Sequence, residues 1–184
     1  MRCFIAVDLP DEIKRKIFKE VILPLKSKNL SVKWVEEINL HITLKFLGEI
    51  DEKDVNKIKD KLQDKIGGIG KFRIGLSGLG YFGSFNNVRV IFIKIKDGES
   101  HLKKLFDIIE NFVYKEVGIA KEKRPFSGHL TIGRVKKGKK LFWSDLSFDF
   151  KREYNFWIDK VTLFKSVLTP QGPIYTRIKE FSLK

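Results

Sequence analysis

His41-Ile42-Thr43-Leu44 and His129-Leu130-Thr131-Ile132 are near copies of one tetrapeptide, 88 residues apart in a chain of 184. The chain holds only three histidines and five threonines, so the repeat uses most of its imidazoles. On a β-strand side chains alternate faces. His and Thr at i and i+2 therefore share a face, while Ile42, Leu44, Leu130 and Ile132 turn to the other. Each strand then offers an imidazole beside a hydroxyl, and two such strands facing each other make a symmetric site for acid–base chemistry on an anion. An imidazole exchanges protons near neutral pH with little tuning. One of the pair can deprotonate a nucleophile and the other protonate a leaving group, each role worth about 10²–10⁴ in rate. The Thr43 and Thr131 hydroxyls can donate to non-bridging phosphate oxygens, and a nearby cation would balance developing charge. The near-symmetry leaves open which histidine gives the proton and which takes it.

Arg134 is the first candidate for that cation, but it lies five residues from His129, and an ideal strand sends it to the opposite face. It reaches the site only if Gly133 marks a bulge or the strand ends there. Lys45 has the same parity as His41 and Thr43 and is the second candidate. A single His on a half-buried strand is usually a satisfied structural residue; two matched copies favour function. A metal site is not expected. The third histidine, His101, opens a helix facing solvent, and no carboxylate sits at ligand spacing. Gly67-Gly68-Ile69-Gly70-Lys71 resembles a phosphate loop, but Phe72 stands where Ser or Thr is required, so it reads as a helix stop. Tyr81, Phe82 and Phe85, around a Gly-rich turn, are the rings best placed to stack on bases.

The elements that must position these residues follow from periodicity. Arg2 to Leu9, Val32 to Val35, Leu40 to Leu47, Gly128 to Val135, Phe156 to Ser166 and Ile174 to Leu183 read as strands, and Phe72–Phe82 with Val88–Ile95 as a hairpin. Helices are expected over Asp11–Leu25, from Asp51 to the Gly67-Gly68 stop, and over Ser100–Val117. The basic, aromatic stretch 136–152 has no clear placement. Helices alternate with strand pairs, so the expected class is α+β: two pseudo-symmetric lobes, each an antiparallel sheet with helices on its outer face, and the active cleft between them. The whole chain, 1–184, is expected to be one bilobal domain with an internal duplication of period near 88.

Lys plus Arg total 37 against 23 Asp plus Glu, a formal charge of +14. That balance points to a polyanionic partner, nucleic acid first. Cys3 alone excludes an internal disulfide and any cysteine zinc site, and its apolar neighbours suggest burial. Phe4–Val7 is too short for a signal-peptide core, and no run approaches membrane-spanning length, so a cytoplasmic location is expected.

Residues 2–7, Asn39-Leu40-His41-Ile42-Thr43-Leu44-Lys45-Phe46-Leu47-Gly48, Phe126 to Arg134, Thr162 to Ser166 and Tyr175 together resemble the two-histidine (2H) phosphoesterase superfamily. Within it the likeness is to the RNA 2',3'-cyclic phosphodiesterases, historically called 2'-5' RNA ligases. One departure is Gly128, where that family often has proline before the second motif. The resemblance implies a bilobal fold, no metal or cofactor, and hydrolysis of an RNA 2',3'-cyclic phosphate to a 2'-phosphate. It implies His41 as proton donor to the departing 3' oxygen and His129 as the base that activates water, with Thr43, Thr131 and Arg134 holding the phosphate. Run backwards, the pair would join a cyclic end to a 5'-hydroxyl. The implied partners are RNA with a 2',3'-cyclic phosphate or a 2'-5' linkage, with no membrane and no obligate protein partner. The competing reading is a non-catalytic RNA-binding protein in which both histidines are structural.

Overall fold

The computed structural model describes all 184 residues. In chain order the elements are β1 (Arg2–Asp8), α1 (Asp11–Ile17), a π-helical turn (Phe18–Ile22) leading into α2 (Leu23–Lys26), β2 (Val32–Trp34), β3 (His41–Glu49) and α3 (Glu52–Ile66). Then follow β4 (Phe72–Ser84), β5 (Asn87–Asp97), α4 (Glu99–Val117), β6 (His129–Val135), β7 (Tyr154–Ile158), β8 (Lys160–Thr169) and β9 (Gly172–Ser182). The strands form two sheets, β3-β1-β8-β9 and β2-β6-β5-β4-β7, and every pairing is antiparallel.

Apolar periodicity decides which faces are buried. α3 buries Val55, Ile58, Leu62 and Ile66, and the Asp51 carboxylate caps its start by accepting the Asp54 N–H at 2.8 Å. α4 buries one stripe including Leu102, Leu105, Ile109 and Phe112, and ends at Gly118 with φ +79°. α3 packs on β9 and α4 on β3 of the first sheet, while α1 packs on β7 of the second. The two sheets share one apolar core of 40 buried residues, with Cys3 inside it. No helix is long and apolar enough to cross a membrane.

Elements 88 residues apart take matching places: β3 and β6, β4 and β8, and α1 and α4 begin at that spacing. Each histidine strand bonds to the strand preceding its helix, β1 or β5, which bonds in turn to β8 or β4. The sheets are nevertheless not the two halves of the chain, because the C-terminal hairpin β8–β9 completes the first sheet. One expected element is corrected. The apolar run Phe156–Ser166 is not a single strand, for the chain leaves the second sheet after Ile158 and enters the first at Lys160. The stretch 136–152 is a strap under the β4–β5 hairpin. It buries Leu141 and Leu146, and it is tied by Val88 N–H to Leu141 O (2.9 Å) and Trp143 N–H to Phe85 O (2.8 Å).

Candidate active site

β3 and β6 belong to different sheets but pack against each other, which brings the two His–Thr motifs together. Both strands carry the same irregularity. In β3, Thr43 pairs with Ala6 and Lys45 with Ile5, so Leu44 is an extra residue. In β6, Thr131 pairs with Phe92 and Gly133 with Ile91, so Ile132 is extra. An extra residue inverts the facing of all that follow. In β6 this turns Arg134 onto the face of His129 and Thr131. Gly133 takes the crowded position of that bulge; a Cβ there would lie 2.7 Å from Val32 Cγ1 and 2.9 Å from Trp34 Cε3.

In β3 the same bulge overturns the parity argument for Lys45. Its side chain is turned into the interior, with Nζ 2.9 Å from Glu110 Oε2, 3.0 Å from Glu122 Oε1 and 2.9 Å from the Ala120 carbonyl. The residue that reaches the site face instead is Phe46, 57% exposed and 6.3 Å from Phe4 between ring centroids. Phe46 and Arg134 are thus equivalent positions, one apolar and one cationic.

The two imidazoles are held alike. His41 Nδ1 donates to the Asn39 carbonyl at 2.7 Å, and His129 Nδ1 to the Ser127 carbonyl at 2.8 Å. A carbonyl only accepts, so Nδ1 carries the hydrogen and Nε2 is left for chemistry. Beyond this they differ. His41 Nε2 is 3.0 Å from Thr43 Oγ1, whereas His129 Nε2 meets no protein group. Burial pushes both imidazoles below their ordinary value of 6.5; the carbonyl bonds oppose this, and the Arg134 charge adds to it at both rings. His41 alone also feels a carboxylate, Asp8, which favours its charged form against Lys14.

Asp8 is a residue that sequence reasoning passes over as a strand end. It lies opposite His41 in the β1–β3 register and is clamped by Lys14 Nζ at 2.6 Å and by Arg177 Nη2 at 2.6 Å. Tyr175 is among the residues that carry the resemblance, without a contact assigned to it; its ring stands edge-on to His41 at 5.3 Å, and with Phe4 and Phe164 it walls the first-sheet side. Asn39 Nδ2 donates to the Pro173 carbonyl at 3.0 Å, so the tip of the β8–β9 hairpin is fastened to the turn that orients His41. On the other side Phe82 meets His129 edge-on at 4.8 Å and Phe92 lies 5.1 Å from it. Of the three expected stacking rings, Tyr81 is a correction. It alternates away from Phe82 and packs on Trp143 at 4.7 Å, against the core. Phe85 sits exposed at the hairpin tip. His101 is exposed, with its ring stacked on Phe72 at 5.3 Å.

Residues 7–92 and 95–175 match the LigT like Phosphoesterase family. A protein of Thermotoga maritima named RNA 2',3'-cyclic phosphodiesterase is 34% identical over 184 residues, 98% of this chain and 94% of that protein. A Methanocaldococcus jannaschii protein of the same name is 39% identical over 189 residues, covering 98% of this chain and all of that protein. Among solved structures, TT0787 of Thermus thermophilus aligns with a TM-score of 0.81 at 26% identity, over 99% of this chain and 97% of that one. Escherichia coli LigT complexed with 3'-AMP aligns at 0.79 and 22% identity with the same coverage, a likeness of fold.

Proposed function

The chain belongs to the LigT-like phosphoesterase family, and on that premise we propose that it hydrolyses RNA 2',3'-cyclic phosphate ends to 2'-phosphates by paired-histidine acid–base catalysis. The observation that carries this reading is the matched tethering of two imidazoles, each fixed through Nδ1 by the carbonyl two residues before it, with one arginine acting on both.

The unengaged Nε2 of His129 takes a proton from water, whose oxygen attacks phosphorus. The bond from phosphorus to the 3' oxygen breaks, and His41 Nε2–H protonates that oxygen, leaving a 3'-hydroxyl and a 2'-phosphate. Asp8 supports the donor role of His41, since a carboxylate in its field stabilises the imidazolium, and Thr43 Oγ1 can accept the Nε2–H until it is given up. Thr43, Thr131 and Arg134 hold the non-bridging oxygens, where donors aimed at developing negative charge are most effective. Both imidazoles are held below 6.5 in the free protein; an arriving phosphate anion raises them again, so binding itself favours protonation of the donor. Microscopic reversibility extends the proposal to 2'-5' joining when a 5'-hydroxyl replaces water. The matching order of strands about the two sheets supports an internal duplication with period near 88.

The test is incubation in EDTA with a nucleoside 2',3'-cyclic phosphate, identifying the product isomer. A 2'-phosphate, formed without added metal, is expected. A 3'-phosphate would reverse the leaving oxygen, and activity restored by zinc alone would replace the acid–base scheme.

A further inference from the structure

Charge and exposed aromatic surface coincide at one end of the second sheet. Residues 72–96 and 123–144 contain no Asp or Glu, so most of the formal +14 lies on β4, β5, β6 and the loops beside them. Past Arg134 the chain presents Lys136, Lys137, Lys139 and Lys140, all exposed. The first acid after them, Asp145, already accepts the Phe142 N–H at 3.0 Å.

The same end carries rings that the core does not claim. Phe82 begins the series, edge-on to His129. Three residues on, at the hairpin tip, Phe85 is 52% exposed, and Phe142 beside it is 40% exposed. The bond from Trp143 N–H to Phe85 O fixes that neighbourhood, and Lys140 Nζ stands 5.0 Å from the centre of the Phe142 ring. The opposite end of the site differs. A cavity of about 690 Å³ there is lined by Asp8, Asp11, Asp159 and Glu180; of its cations, Arg177 and Lys160 are already paired with Asp8 and Glu180, and Lys179 donates to the Lys59 carbonyl.

Exposed rings among unneutralised lysines suit a single-stranded nucleic acid, whose bases stack while its phosphates meet the ammonium groups. A phosphate backbone would avoid the acid-lined end. We propose that the β4–β5 hairpin tip and the 136–143 strap form a subsite for the RNA chain upstream of the cyclic phosphate, with Phe85 and Phe142 stacking bases and Lys137, Lys139 and Lys140 holding phosphates. This rests on the hydrolase reading above and deepens it: it assigns the RNA chain upstream of the reacting end to this flank of the cleft.

The experiment compares kcat/KM for a nucleoside 2',3'-cyclic phosphate with that for a short oligoribonucleotide ending in the same group, in the wild type, Phe142→Ala and Lys137→Glu/Lys139→Glu. Anisotropy of the labelled oligonucleotide measures binding alongside. The wild type should favour the oligonucleotide by about tenfold or more, the value of one or two stacked bases. Both variants should erase that advantage and weaken oligonucleotide binding, with nucleotide turnover unchanged. No advantage in the wild type, an advantage kept by both variants, or equal loss on both substrates would each overturn the subsite. Should the wild type cleave neither substrate, the hydrolase reading fails, and the subsite as stated fails with it.

Discussion

At the scale of single residues, two imidazoles of the same type acquire different prospects from their surroundings. His41 has Thr43 and the field of Asp8; His129 has a free Nε2. His41→Ala and His129→Ala should each lower kcat by about 10²–10⁴ while the thermal unfolding midpoint shows the fold intact. The direction of both pKa shifts sets a pH dependence. In the free protein both imidazoles titrate below 6.5, so the bell-shaped profile of kcat/KM should centre on the acid side of that value. Arg134→Gln removes a cation that lowers both, so the profile should move to higher pH as KM rises. An unmoved profile would contradict a shared arginine. The same shifts bear on stability: the unfolded chain takes up these protons first, so stability should fall as pH drops from about 6.5 through the lower folded values.

At the scale of elements, the repeated bulge decides which side chains share the face of the histidines and threonines. The His–Thr face was legible from alternation alone, because period 2 holds as far as Thr43 and Thr131. It fails one residue later in each strand, where Leu44 and Ile132 are inserted. Gly133 signalled the break in β6; nothing in Leu44-Lys45 signalled it in β3, which is why Lys45 read as a phosphate ligand while Phe46 went unnoticed. The relations of Asp8 and Tyr175 to His41 were hidden for another reason, since strand register and the return of the β8–β9 hairpin create them and a linear pattern carries neither. Two outcomes follow. Gly133→Val should collide with Val32 and Trp34, displace Arg134 and raise KM more than it lowers kcat. Lys45→Met should leave the buried Glu110 carboxylate unpaired and cost about 3–5 kcal/mol of stability, with turnover per folded molecule retained; adding Glu110→Gln should recover much of that loss. A stable Lys45→Met protein lacking activity would return Lys45 to the site.

At the scale of the whole molecule, sheet order was the least legible feature. Hairpins and helices were evident, but not that β8 and β9 return to complete the first sheet, nor that the run from Phe156 changes sheets at Asp159. That crossing lets one core of 40 buried residues support both motifs, and it keeps the basic strands β4 to β6, whose one acid is the terminal Asp97, on one flank of the cleft. The charge asymmetry predicts a salt effect that depends on substrate length. Oligonucleotide KM should climb steeply on a log–log plot against salt, by about 0.7 of slope for each single-strand phosphate neutralised, while KM for a cyclic nucleotide should rise little. Equal slopes would mean that the basic flank does not meet the chain.

The division of labour between the histidines is the core of the account, and a sulfur leaving group tests it. With sulfur in place of the 3' oxygen of the cyclic phosphate, the departing thiolate has a pKa near about 8.5 and needs little help from an acid. Single-turnover rates on this substrate should be nearly restored in His41→Ala and remain low in His129→Ala. Rescue of His129→Ala instead would exchange the two roles, and rescue of neither would contradict proton donation to the 3' position altogether.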